Sequence, residues 1–146
     1  MEFETKIALV LRDDLQIWQW LNVCAFLTSG VVGQHRNLIG EDYFDKDGNV
    51  FNGLSKQPMI ILSAPSSVMK KIHGKALSRQ IKTSAFIEEM FKTGYDEANR
   101  AEFAKYSAQS ANLVGIGIRA DRKIVDKITK GAKMKFDPQP TLAHVE

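Results

Sequence analysis

Ile7, Ala8, Leu9, Val10 and Leu11 form an unbroken apolar run fenced by Lys6 and Arg12. Five residues make little more than one helical turn, so the run reads as a strand buried on both faces rather than as a core helix. Such a strand needs a covering layer on each side. That requirement places it centrally in a sheet and points to an α/β protein. The next segment fits, because Asp13 and Asp14 offer a helix cap and residues 15–27 carry Ile17, Trp18, Trp20, Leu21, Val23, Cys24 and Phe26. So much apolar surface predicts a helix covered on most sides, ending between Thr28-Ser29-Gly30 and Gly33.

The same alternation continues. Residues 59–62 are a second short apolar strand, and Pro65-Ser66-Ser67 opens a helix with Val68, Met69, Ile72, Ala76 and Leu77 on one stripe. Residues 83–87 read as a third strand, 88–95 as a polar turn, and Asp96 as the cap of a third helix reaching Ala108. A fourth strand spans 113–118. Asp121 then opens a last helix with Gly131 just past its end, and Pro138 and Pro140 predict an extended tail from about residue 137. The expected architecture is a three-layer α/β/α domain around a four-stranded mixed sheet. With 146 residues and 44% apolar content there is material for one core, so residues 1–146 are read as a single domain.

Residues 34–57 interrupt the pattern. Tyr43-Phe44 and Val50-Phe51 flank Asp45-Lys46-Asp47-Gly48-Asn49, which predicts a small hairpin whose aromatic side chains fold it onto the body as a flap. The alternating acids imitate a calcium loop. The sixth position, however, is Val50 instead of glycine, and the twelfth is Lys56 instead of a bidentate glutamate, so a turn is the better reading.

Twenty basic against seventeen acidic residues give a net charge of +3, which permits a nucleic-acid partner without demanding one. The excess is concentrated. Residues 119–135 hold seven basic residues and two acidic ones, a local +5, with Lys123, Lys127 and Lys130 predicted on one helical face. That face is a candidate RNA contact from Arg119 to Lys135, set against an ordinary solvated surface. The lone Cys24 excludes an internal disulfide and reads as a buried structural thiol. An acidic N-terminus and the lack of any apolar run near 18 residues predict a cytoplasmic chain with no membrane partner. His35, His73 and His144 are scattered without ligand spacing, so no metal is expected, and no cofactor either. Gly115-Ile116-Gly117 lacks the third glycine of a dinucleotide loop and reads as close backbone packing.

In α/β sheets ligands gather beyond the C-terminal ends of strands. Two groups of polar residues are predicted there. Arg12 and Asp14 follow the first strand, while Glu88, Glu89, Thr93, Asp96, Asn99 and Arg100 follow the third. Asp14, Glu88 and Glu89 are the candidate catalytic carboxylates, since close carboxylates shift one another's proton affinity. Arg12, Thr93, Asp96, Asn99 and Arg100 are the candidate ligand-binding residues, the two arginines being suited to an anionic group.

Lys6-Ile7-Ala8-Leu9-Val10-Leu11-Arg12-Asp13-Asp14-Leu15, with Gly115-Ile116-Gly117 and Ile124-Val125-Asp126-Lys127-Ile128-Thr129, resembles the opening and closing elements of type II peptidyl-tRNA hydrolases. Arg12-Asp13-Asp14-Leu15, Leu21-Asn22-Val23 and Glu89-Met90-Phe91 with Thr93, Asp96, Asn99 and Arg100 resemble, over nearly the whole chain, a bacterial family of unknown function built on that fold (domain of unknown function two thousand). The resemblance implies the hydrolase-like fold. The hydrolases' Gly-Lys-x-x-Ala-Gln-x-x-His pattern is absent, since Trp20, Leu21, Ala25 and Thr28 stand in place of its Gly, Lys, Gln and His. The leading expectation is therefore a site for a small-molecule or amino-acyl-type ligand, with hydrolase or transferase chemistry available to its carboxylates. A noncatalytic RNA- or protein-binding module and a residual peptidyl-tRNA hydrolase are the alternatives. Exposed hairpin aromatics and the apolar first helix also suggest a homodimer.

Overall fold

The computed structural model describes residues 3–138. Four strands, β1 (Thr5–Arg12), β4 (Met59–Ala64), β5 (Ser84–Ile87) and β6 (Leu113–Asp121), form a mixed sheet in the order β4-β1-β6-β5. β1 runs parallel to β4 and antiparallel to β6, and β5 is antiparallel to β6. The Ile7–Leu11 run is central, as its composition requires. Its side chains alternate between two cores: Ala8 and Val10 join Met69, Ile72, Val125 and Ile128 on one face, while Ile7, Leu9 and Leu11 join Trp20, Val23, Leu27 and Val31 on the other. The first group comes from α2 (Ser66–Ser78) and α4 (Arg122–Ile128), the second from α1 (Ile17–Gln34). Helices thus cover both faces, and both glycines of Gly115-Ile116-Gly117 admit α1. A Cβ on Gly115 would stand 2.5 Å from Cγ1 of Val23.

Several local expectations need correction. α1 runs on to Gln34, because Gly30 is a close-approach residue and not a terminator; a Cβ there would collide with Oγ of Ser84 on β5. Only Trp20, Val23, Leu27 and Val31 of α1 are buried, so the helix is covered on one side and its outer face is apolar and exposed. Neither Asp13 nor Asp14 caps it. Gln16 occupies the cap position, its N–H donating to Oε1 of Gln19 at 2.9 Å, while Asp14 turns back to Arg12. α3 (Asp96–Phe103) stops short of Ala108, where Ser107 and Ser110 bond one another into a turn. Its cap position falls on Tyr95, and the Asp96 carboxylate pairs with Arg100 instead of capping. Lys130 lies beyond the end of α4, so only Lys123 and Lys127 share that helix. Leu77 of the α2 stripe is exposed.

Asp121 does cap α4, accepting from the Lys123 N–H at 3.0 Å. The predicted hairpin is also present, as β2 (Tyr43–Phe44) and β3 (Val50–Phe51). Asp45 organises its turn by accepting from the N–H groups of Asp47 and Asn49 and from the Asn49 side chain, which hold its carboxyl below the ordinary range, and Gly48 supplies a φ of +83°. The hairpin does not fold onto the body. Tyr43, Phe44, Val50 and Phe51 are all exposed, because the segment is held at its base by Gly40 to Leu54 and Lys56 to Leu38 backbone bonds. Buried Gln57 ends the excursion, donating to the Thr5 carbonyl at 2.7 Å and accepting from Arg119 at 3.3 Å. The expected tail begins at Asp137 and lies, after Pro138, outside the described residues.

Candidate functional site

β4, β1 and β5 point their C-terminal ends to one edge of the sheet, and the predicted site residues lie along it in two groups. The first surrounds Arg12. Its side chain is 13% exposed, with Nε 2.5 Å from Oδ1 of Asp14 and Nη1 3.5 Å from Oε2 of Glu88. Burial works against the guanidinium charge, but the two carboxylates outweigh it and push its proton affinity up. The Trp20 indole N–H donates to the Arg12 carbonyl at 2.9 Å and fixes the backbone there. Adjacent Glu89 turns the other way: Oε2 accepts from Asn112 at 3.1 Å, and Oε1 is buried without a hydrogen-bond partner. Burial, then Glu89 and Glu102, push the neighbouring Tyr106 phenol up. Asp14 and Glu88 therefore belong to Arg12, and Glu89 to a separate carboxylate–phenol contact.

The second group lines a cleft between α1, β5, the 3-10 segment Glu88–Lys92 and α3. One part, about 270 Å³, holds Thr93, Asp96 and Asn99 against Phe26, Phe86, Phe91 and Tyr95. A contiguous part of about 440 Å³ is bordered by Arg100, Phe103 and Gly30. The aromatic wall is continuous: the Phe86 ring packs tilted by 50° against Phe91, 5.1 Å away, and against Phe26, 5.5 Å away, and Trp18 meets Phe91 edge-on at 5.6 Å. Thr93 contacts both the Met90 carbonyl, at 2.9 Å, and the Asn99 side chain. A hydroxyl has one proton, so if Thr93 donates to Met90, its oxygen is left to accept from the Asn99 amide, turned to present Nδ2. Arg12, Asp14, Glu88 and Glu89 line neither part of the cleft.

The residues that sequence reading missed are the aromatic ones. Phe91 carried a signal, since it and Met90 form an apolar pair inside a polar stretch; Phe26 and Phe86 read only as core. Cys24 is half-buried and its thiol is pushed up by burial, as befits an unreactive group. No group of three metal-ligating side chains occurs among the described residues. No helix there is long and apolar enough to cross a membrane.

A family described as protein of unknown function (DUF2000) matches residues 5–135. The chain belongs to DUF2000. A solved structure of a protein of unknown function from Agrobacterium tumefaciens is 55% identical, with a TM-score of 0.90, covering 92% of this chain and 99% of that one. Comparison with curated proteins gives no match. The resemblance to a family of unknown function is thus borne out, and for this DUF2000 chain the function must be argued from the rim and the cleft.

Proposed function

We propose that this DUF2000 domain is a small-molecule binder on a peptidyl-tRNA hydrolase-like fold, with the cleft beside α3 as its site. One observation carries the reading: four residues singled out from sequence, Thr93, Asp96, Asn99 and Arg100, meet there against a continuous aromatic wall. Aromatic walls with a few convergent polar groups suit a flat or acyl ligand carrying a hydrogen-bonding head, which includes amino-acyl compounds. Binding is better supported than turnover. Asp14 and Glu88 are engaged by Arg12, and Leu21 offers no charge where the hydrolases carry lysine. The test is a titration with N-acetyl-phenylalanine methyl ester, followed by amide NMR. The reading expects shifts at Thr93, Gly94 and Asn99, lost in Asn99→Leu, with hydrolase activity appearing as release of methanol in the same tube. Shifts that miss these residues, or none at millimolar ester, overturn it.

A second reading, RNA binding through residues 119–135, is favoured by the exposure of Lys123, Lys127 and Lys130. It expects affinity for single-stranded RNA that falls steeply with salt and weakens in a Lys123→Ala, Lys127→Ala pair. Salt-indifferent binding overturns it.

A further inference from the structure

We infer that α1 is the contact helix of a two-fold dimer of this chain, pairing antiparallel with its own copy about Ala25. The helix holds 18 residues without one Asp, Glu, Lys or Arg. It nevertheless turns a whole face to solvent, with Ile17 53%, Trp18 58% and Leu21 68% exposed. An exposed helical face ordinarily carries charge. Here the bare face has an internal order that selects its occupant.

Ile17, Leu21, Ala25, Ser29 and Gly33 are all exposed, recur every fourth residue and so form one ridge. Ile17 and Leu21 are large, while Ala25, Ser29 and Gly33 are small. Reversing a second copy about Ala25 sets Leu21 against Ser29 and Ala25 against itself. A large residue then meets a small one on each side of the axis, over roughly 12 Å of helix, before the ridge turns away at about 40° per step. Charge gives the same answer. In a two-fold contact a residue near the axis faces its own copy, so any charge there would repel itself, and this face has none. Neither a lipid surface nor an unrelated protein would call for a large and a small residue at equal steps either side of Ala25.

The exposed apolar side chains of α1 amount to on the order of 500 Å². Specific interfaces bury about 800 Å² per partner, and exposed Tyr95, which shares the cleft with Asn22 and Phe26 of α1, supplies part of the remainder. The dimer would thus roof the cleft.

Sedimentation equilibrium of the full chain from about 1 to about 200 µM, a range that brackets micromolar association, tests the inference. Wild type is expected to be dimeric. Leu21→Glu and Ser29→Lys should each raise Kd about 100-fold, and the double variant should recover at least about tenfold of that at low salt, because the introduced carboxylate of one copy would face the introduced ammonium of the other across the axis. Both positions are exposed, and circular dichroism checks that each variant folds. Independently, Ala25→Cys in a Cys24→Ser background should form a covalent dimer under copper–phenanthroline oxidation, which Lys127→Cys should not. A monomeric wild type, a dimer indifferent to Leu21→Glu, a double variant without recovery, or a monomer that sediments with phosphatidylcholine vesicles overturns the proposal.

Discussion

Nη1 of Arg12 lies 3.5 Å from Oε2 of Glu88, joining the ends of two strands that are not neighbours in the sheet. β6 runs between β1 and β5, so the guanidinium bridges over its first residues while its Nε holds Asp14. Arg12 is mostly buried and its two partners are more than half exposed. Arg12→Ala should therefore destabilise the domain by about 1–2 kcal/mol, from lost packing as well as lost pairing. Glu88→Gln should cost under about 0.5 kcal/mol. Urea denaturation measures both. Because Arg12 lines neither part of the cleft, ligand binding in the folded fraction should survive Arg12→Ala, whereas an arginine that grips the ligand would lose it.

Two glycines should respond in opposite directions to alanine. At Gly115 the new methyl would stand 2.5 Å from Val23 and 2.9 Å from Leu27, forcing α1 off the sheet at a cost of about 1–3 kcal/mol. At Gly74, inside α2, nothing lies within 4 Å, and Gly74→Ala should raise stability by about 0.5–1 kcal/mol. Thermal melts of the two variants give the signs directly.

The hairpin should melt alone. Gly48 sits at φ +83°, a conformation a β-branched residue resists, and no hairpin side chain is part of either core. Gly48→Val is expected to expose Tyr43–Phe51 to limited proteolysis while the global melting temperature stays within about 2 °C. A drop in global stability would mean that the hairpin is braced by the body after all.

Acid should weaken the fold partly through His73. Burial pushes its imidazole below the ordinary 6.5, so the native state binds fewer protons than the unfolded chain once the pH falls below that value. Its contribution is constant above about pH 6.5 and is lost as the pH falls from there toward the folded-state value. His73→Gln should flatten the fall in stability as the pH drops below about 6.5, as read from urea midpoints. An unchanged slope would assign the acid sensitivity to other groups.

The parts of this fold that sequence revealed are those whose cause is local. Ile7–Leu11 announces a strand buried on both faces because every residue is apolar, and Asp121 announces a helix start because a carboxylate two residues before a free N–H is its own explanation. Gly30 shows the limit. Its role depends on Ser84, which only tertiary packing brings alongside, so a residue needed for close approach looked like a helix breaker. Asp14 and Asp96 misled for a related reason. Each had two uses available, capping or pairing with arginine, and the arginine two or four residues away prevailed. In the candidate site the polar members were legible, whereas the aromatic wall arises from three separate elements meeting and leaves no local mark.

The pairing of β1 with β6 also sets a timetable. Leu11 lies opposite Gly115, so the first strand waits for roughly 100 further residues before its antiparallel partner exists. At the usual rate of about 5–20 residues per second on the ribosome, that is on the order of 5–20 s during which a strand buried on both faces of the finished sheet is open along one edge. β4 and α1 emerge earlier and cover part of it. The newborn protein is thus most vulnerable to sticking to its neighbours before β6 is made, and folding of the whole should be slow and governed by that late closure.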